Sequence, residues 1–177
     1  MAGTVTAPTT CPGCGLELPA TGLPADPGRN ASPECWRLYG EVQGYELRHL
    51  QLVRDLHQLT VDTYAAQHAP RHPAGDRPPI GVAYALVGLH LALDRGVPGV
   101  EVRAAHQRMG RPDPSWPGLP APASTGSVTV LDVAVAGAMV DSPSGHARAV
   151  RAWSGAVWQA WAPQHAAVAA LADRLRG

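Results

Sequence analysis

All three cysteines of this chain lie within residues 11–36, in a pattern that is typical of a metal site. Cys11 and Cys14 are two residues apart in the sequence CPGCG, and Cys35 follows in SPECW. The proline and the two glycines of CPGCG favour a tight turn that directs backbone N–H groups at the sulfurs. Two thiolates from such a knuckle and a third near the start of a helix are typical zinc ligands.

A pair of buried or redox-active thiols is the alternative interpretation of the CxxC sequence. Redox pairs of this kind normally accompany a βαβ unit, and no such pattern is found in this sequence. The odd number of cysteines also argues against a disulfide framework. We therefore predict one Zn²⁺ ion bound by Cys11, Cys14 and Cys35, and no other cofactor.

The fourth zinc ligand decides the class of site, because structural sites use four protein ligands and catalytic sites usually leave one position to water. His57, Tyr64 and His68 recur at i, i+7 and i+11, which places them on one face of a predicted helix. The two histidines lie about 16 Å apart along that helix, so both cannot bind one ion. We take His57 as the fourth ligand, and His68, His90 and water stay open as alternatives.

Further polar side chains interrupt otherwise apolar helices in this sequence. His90 has Asp94 one helical turn later, a spacing at which a carboxylate can orient an imidazole. An unpaired imidazole on so apolar a helix would cost about 1 to 3 kcal/mol, so His90 should have a partner. We predict a cleft between helices, with His68, His90, Asp62 and Tyr64 as catalytic residues and Gln67 and Trp161 as contacts to a substrate.

The first long helical segment must position both the third cysteine and the predicted ligand stripe. Ser32 in SPEC marks a helix start, which puts Cys35 in the first turn. Apolar residues then recur at helical spacing as far as His68. Gly40 and Gly44 weaken a helix, so we expect a bend or break near them, giving two helices or one kinked helix.

The remaining segments also predict helices. Residues 80–95 are apolar on nearly all sides, as in the central helix of a bundle, and a short amphipathic helix follows Pro98. A capping box at Thr129 opens a helix that runs to Val140. A long last helix, kinked near Pro163, carries tryptophans at a spacing typical of core packing. We predict an all-α fold, a bundle of about five or six helices with a small N-terminal zinc-knuckle loop.

Length and charge restrict the domain organisation and the partners. The 177 residues predict a disordered tail at 1–10 and a single domain at 11–177, with the cysteine knuckle at 11–36. Fourteen basic residues balance fourteen acidic ones without a basic run, which disfavours nucleic acid as a partner. No signal sequence or apolar stretch of about 20 residues is found, so we expect a cytoplasmic protein that does not contact membranes. The zero net charge is compatible with a homo-oligomer.

Several blocks of this sequence resemble an uncharacterised bacterial family, a domain of unknown function. They are CPGCG, SPECW, HQLTVDTYAAQH, VGLHLALDRG and the closing VRAWSGAVWQAW, and the resemblance spans residues 11 to about 165. It implies that the polar residues of these blocks belong to one recurring pattern: Cys11, Cys14, Cys35, His57, Asp62, Tyr64, Gln67, His68 and His90. The resemblance implies no activity.

Two hypotheses about function remain open. In the first, the chain is a zinc-dependent enzyme of the hydrolase or transferase type that acts on a small molecule. Zinc would polarise a carbonyl or activate water, and His68 or His90 would transfer protons. In the second, zinc is structural and the bundle binds a small ligand or another protein without catalysis. We place the enzyme first because so many polar side chains interrupt apolar helices.

Overall fold

The structure is a computed structural model, and it describes residues 7–69, 80–109 and 118–174. Two short strands, β1 (Pro8–Thr10) and β2 (Glu17–Pro19), pair in antiparallel orientation. The α-helices in the described ranges are α1 (Pro33–Leu47), α2 (Leu50–Asp55), α3 (His57–Gln67), α4 (Ile80–Leu89), α5 (Gly99–Arg108), α6 (Val130–Ala136), α7 (Pro143–Ala160) and α8 (His165–Arg174). A π-helical turn (His90–Asp94) continues α4, and a 3₁₀ turn (Ala162–Gln164) separates α7 from α8.

The chain is mostly helical, but two parts of the predicted architecture are wrong. The fold is not all-α, because the hairpin of β1 and β2 flanks the CxxC sequence. The described residues also contain eight α-helices, more than the five or six expected. Strands of three residues are too short for their apolar alternation to be recognised in a sequence. Pro8–Thr10, at the end of the predicted disordered tail, form β1, and residues 1–6 of that tail lie outside the described residues.

The helical segment from residue 33 to residue 67 divides at positions other than the predicted ones. α1 continues through Gly40 and Gly44, and the chain breaks instead after Leu47 and at Leu56. The buried face of α1, which includes Val42, packs against α3 and α6. This packing outweighs the cost of about 1 kcal/mol for each glycine in a helix.

Several predicted helix boundaries are confirmed by their hydrogen bonds. The Ser32 hydroxyl caps α1 by accepting from the N–H of Cys35 at 3.2 Å. Thr129 and Asp132 form the expected capping box at α6. That helix ends at Ala136, however, and the expected extension to Val140 is wrong. Pro163 falls in the 3₁₀ turn between α7 and α8, where a kink was predicted.

The core is centred on α4, as the apolar pattern of residues 80–95 indicates. α4 contacts α3, α5, α7 and α8, and its Leu86 and Leu89 are fully buried. Trp153 and Trp161 of the last helical segment are fully buried as well, so they pack in the core. Among the described residues, no helix combines the length and the apolar character that crossing a membrane requires.

Candidate metal centre

Three parts of the chain bring Cys11, Cys14, Cys35 and His68 together. The first two cysteines lie in the turn between β1 and β2, Cys35 lies in the first turn of α1, and His68 follows the last residue of α3. Their three sulfurs and one imidazole nitrogen all lie within 4.8 Å of one another. Cys11, Cys35 and His68 are buried, and Cys14 is half-buried.

The CPGCG turn is shaped by its own backbone. Cys11 accepts a hydrogen bond from the N–H of Gly15 at 2.9 Å and donates its own N–H to the carbonyl of Leu16 at 2.8 Å. Gly15 has a φ of 75°, in the left-handed region that glycine adopts at no steric cost. The local sequence therefore determines the turn that places Cys11 and Cys14 side by side.

Gly13 is needed because the turn leaves no room for a side chain at this position. A Cβ atom at this position would clash with the carbonyl oxygen of Asn30 and would lie 2.6 Å from Cδ2 of His68. The absence of a side chain at Gly13 thus lets the turn approach the imidazole closely.

Replacing Gly13 by alanine is therefore expected to weaken zinc binding at least tenfold, because the added methyl group displaces the turn or the His68 ring. Competition with a chelator of known zinc affinity measures this change. Gly40→Ala is the matched control, since a Cβ there meets nothing within 4 Å. That control should leave zinc affinity unchanged and stabilise α1 by about 0.5 to 1 kcal/mol. Equal zinc affinities in the two variants would contradict the role given to Gly13.

Two of the distances between donor atoms match those of tetrahedral coordination. The sulfurs of Cys14 and Cys35 are 3.8 Å apart, and the sulfur of Cys35 is 3.4 Å from Nε2 of His68. Zinc–sulfur bonds of about 2.3 Å and zinc–nitrogen bonds of about 2.0 Å give edges of about 3.8 Å and about 3.5 Å in a regular tetrahedron. Three thiolates and one imidazole are also ligands that zinc prefers. The group is therefore a candidate Cys₃His site for a metal ion such as zinc.

The orientation of the His68 imidazole favours binding through Nε2. Its Nδ1 lies 2.9 Å from the carbonyl oxygen of Tyr64, an atom that can only accept. In the neutral ring, Nδ1 therefore carries the hydrogen and Nε2 directs its lone pair toward the sulfurs. A hydrogen bond of this kind is the usual support of a metal-binding histidine.

Hydrogen-bond donors lie beside two of the three sulfurs. The N–H of Ser32 donates to the sulfur of Cys11 at 3.5 Å, and the Tyr64 hydroxyl donates to the sulfur of Cys35 at 3.6 Å. Hydrogen bonds with the thiols of Cys14 and Cys35 lower the pKa of Cys11. Hydrogen bonds with Cys11 and Cys14, in contrast, raise the pKa of Cys35. Burial opposes protonation of His68, but the bonds to Cys11 and Cys14 outweigh it and raise the pKa of this imidazole to about 9. These protons are the ones that a bound metal ion would displace.

His57, our first choice for the fourth ligand, lies in a different cluster, and His68 takes its place. Nδ1 of His57 donates to Glu46 at 2.8 Å, on the carboxylate oxygen Oε2. The other oxygen, Oε1, accepts from Nε2 of His146 at 2.8 Å and from the Thr60 hydroxyl at 2.5 Å. Burial raises the pKa of Glu46, but these three hydrogen bonds together outweigh it and lower the pKa below its usual range. This buried network contains three residues that we did not predict, Glu46, Thr60 and His146.

His90 also lies apart from the cysteines. It has the partner predicted from its spacing, since its Nδ1 is 2.8 Å from Oδ2 of Asp94. Its Nε2 accepts from Nε of Arg95 at 3.1 Å, and Asp94 accepts from the Trp158 indole at 3.0 Å. Both ring nitrogens therefore have partners in a network that joins the π-helical turn to α7. The structure does not bring His90 to the cleft in which we predicted it.

Asp62 faces α4 and α5 rather than the cysteines. Its Oδ1 accepts from the Gln58 amide at 2.9 Å and is 3.9 Å from Nδ1 of His106. Its Oδ2 is buried without a hydrogen-bond partner in the described part of the chain, and it lies where a side chain on Gly88 would be. Burial raises the pKa of Asp62 well above its usual range, and the bond from Gln58 only partly opposes this.

Gln67 and Trp161, which we predicted as contacts to a substrate, both lie in the core. Both are fully buried. The Gln67 amide donates to the carbonyl of Val128 at 2.8 Å and accepts from the Trp153 indole at 2.8 Å. The Trp161 indole donates to the carbonyl of Ala66 at 3.2 Å. These bonds fasten α3 to α7 and to the segment before α6.

A cavity of about 550 Å³ lies directly beside the candidate metal centre. Loop residues 27–31 and side chains of α1, α3 and α4 form its walls, including Trp36, Tyr39, Tyr64 and His68. The Tyr64 ring stacks on both neighbours, with centroids 3.8 Å from Tyr39 and 3.8 Å from His68. Of the six side chains predicted to line one cleft, Tyr64 and His68 are the two that line this cavity.

Comparison with known proteins gives one finding. The model of a protein family described as a family of unknown function, DUF5946, matches residues 9–162. The matched range includes all four donors of the candidate metal centre and the walls of the neighbouring cavity. No curated protein and no solved structure matches the sequence.

Proposed function

The chain belongs to DUF5946, a family of unknown function, and we propose that it is a zinc-stabilised protein that binds a small ligand without catalysing a reaction on the metal. The observation that carries this proposal is the closed donor set, in which four protein atoms lie within 4.8 Å of one another. Four protein ligands complete the tetrahedral shell of zinc and leave no position for water or substrate. This favours the structural hypothesis over the enzymatic one.

A structural ion would stabilise the N-terminal hairpin of this fold. β1 and β2 have three residues each and are largely exposed, and an isolated hairpin of this size is not stable in water. Cys11 and Cys14 on the hairpin turn, Cys35 on α1 and His68 at the end of α3 would hold a bound ion from three sides. The ion would thus join the hairpin to α1 and α3, which form part of the cavity walls.

The polar side chains that suggested an enzyme have other partners. Asp62 faces α4 and α5, His90 is held by Asp94 and Arg95, and Gln67 lies in the core. Among the described residues that line the cavity beside His68, none has a carboxylate. A carboxylate that could act as a general base beside a ligand is therefore missing from the described walls, which supports binding rather than catalysis.

Cobalt substitution tests whether the coordination shell is closed. Stoichiometric Co²⁺ bound by three thiolates and one imidazole should show tetrahedral d–d absorption bands and a thiolate charge-transfer band. With four protein ligands, these bands should not change when azide is added. His68→Ala is the control that opens one position, and its bands should shift with azide if the ion is retained. A shift in the unmodified protein, or the absence of stoichiometric metal binding, would overturn the proposal.

A further inference from the structure

We infer that the cavity beside His68 binds a small planar aromatic molecule that carries an anionic group. The inference rests on the proposed binding function and names the class of ligand. A volume of about 550 Å³ falls within the range of about 300 to 1,000 Å³ that is usual for small-molecule sites. One or two fused rings with an acidic substituent would fit in this space.

Aromatic side chains form one wall of the cavity. The Tyr39 and Tyr64 rings stack at 3.8 Å with an interplanar angle of 14°. The Trp36 ring lies at an angle to both, with centroids 5.4 Å from Tyr39 and 5.8 Å from Tyr64. Trp36 lines the cavity and is 42% exposed to solvent. A planar ligand that packs against the Trp36 ring would bury this exposed apolar surface.

Most polar groups in the described walls already have partners within the protein. The Asn30 amide donates to the carbonyl of Ala69 at 3.1 Å, and the Tyr64 hydroxyl donates to a cysteine sulfur at 3.6 Å. Nδ1 of His68 is bonded to a backbone carbonyl, and its Nε2 faces the sulfurs. These groups are therefore poorly placed to select a ligand by charge.

Arg29 supplies the charge that can recognise a ligand. Its Nε donates to Asp26 at 2.7 Å, a pairing that leaves the two terminal NH₂ groups for another acceptor. The guanidinium carbon lies 3.9 Å from the centroid of the Trp36 ring, so the cation is held over an aromatic face of the cavity. A guanidinium binds carboxylate or phosphate through charge-assisted hydrogen bonds and repels an ammonium group. The aromatic wall and this cation together point to an aromatic acid.

Three probes with the same ring system and different charge test the inference. Indole-3-acetate is anionic, indole-3-ethanol is neutral and tryptamine is cationic. Each is titrated by calorimetry into the full zinc-loaded chain, whose metal content is measured first. We expect the acid to bind about tenfold more tightly than the alcohol, and tryptamine to bind most weakly. No detectable binding of any probe, equal affinities, or tightest binding of tryptamine would overturn the inference.

Substitutions in the cavity wall and at a control position outside it test whether the probes bind in this cavity. Arg29→Gln should remove the preference for the acid over the alcohol, and Trp36→Ala should weaken all three probes about tenfold. Arg37→Gln is the matched control, because Arg37 pairs with Glu41 on the exposed side of α1. That control should leave all affinities unchanged, and an equal loss there would contradict the assignment. Since zinc content is measured separately, failure of probe binding in zinc-loaded protein rejects the ligand class without rejecting the closed metal site.

Discussion

Replacing Cys35 by serine is expected to reduce zinc from one ion per chain to almost none and to lower the free energy of unfolding by about 4 kcal/mol. The Cys35 sulfur is fully buried and lies 3.8 Å from the Cys14 sulfur and 3.4 Å from Nε2 of His68. A serine hydroxyl is a poor zinc ligand, so three donors would remain. The magnitude corresponds to an ion that is present at about a thousand times its dissociation constant and binds only the folded chain.

Elemental analysis and urea unfolding at fixed free zinc measure the two effects of the Cys35 substitution. His57→Ala is the control for metal content, because the His57 imidazole is bonded to Glu46 and does not belong to the donor set. The control should retain one ion per chain even if it is less stable. Stoichiometric zinc in the serine variant, or loss of zinc from the His57 variant, would contradict the assignment of the ligands.

Replacing Glu46 by alanine is expected to lower the free energy of unfolding at pH 7 by about 3 to 5 kcal/mol. The Glu46 carboxylate is fully buried and accepts hydrogen bonds from His57, Thr60 and His146. The substitution leaves these donors without an acceptor and leaves a cavity in the core. Glu41→Ala is the control on the same helix. Its carboxylate is half-exposed and pairs with Arg37, so its loss should change stability by less than about 1 kcal/mol.

The contribution of Glu46 should also depend on pH, with a sign that follows from its pKa. Its hydrogen bonds hold the pKa of the folded state below the usual value of 4.5, despite burial. A carboxyl with a lowered pKa stabilises the fold fully above its unfolded pKa and loses this contribution as the pH falls through the folded pKa. Glu46→Gln cannot lose a proton in this range, so the stability difference from the unmodified chain should shrink below about pH 4.

Urea unfolding of Glu46→Gln and of the unmodified protein between about pH 3 and pH 7, both in the presence of zinc, tests this dependence. The difference between the two chains removes effects of acid on zinc binding, which both share. A difference that stays constant or grows as the pH falls would contradict the lowered pKa of Glu46. Zinc content should be the same in both chains at pH 7, because Glu46 lies outside the donor set.

Features that depend on neighbours in the sequence could be predicted. Ser32 caps α1, Thr129 and Asp132 form a capping box, and Pro163 interrupts the last helical segment. Asp94 could be predicted as the partner of His90 from helical spacing alone. In each case the interaction acts over four residues or fewer, so propensity and spacing determine it.

The buried network of Glu46 shows what such reasoning misses. Glu46 lies one turn after the buried Val42, and a charge on that face could have indicated a buried partner. Its partner His146 is 100 residues away in the sequence, and no local pattern joins the two. The separation of Asp62 and His90 from the cysteines likewise depends on which helices pack against each side chain.

The sequence by itself determined that this chain is mostly helical and that two cysteines share a tight turn while a third begins a helix. Caps, turns and periodicity act within a few residues, which is why these features can be read without a structure. Only the tertiary structure decided between His57 and His68 as the fourth donor. His57 begins α3 and His68 directly follows it, and the choice depends on where the CPGCG turn packs. Gly13 lets that turn contact His68 at the end of α3. His57, at the start of α3, is instead hydrogen-bonded to Glu46.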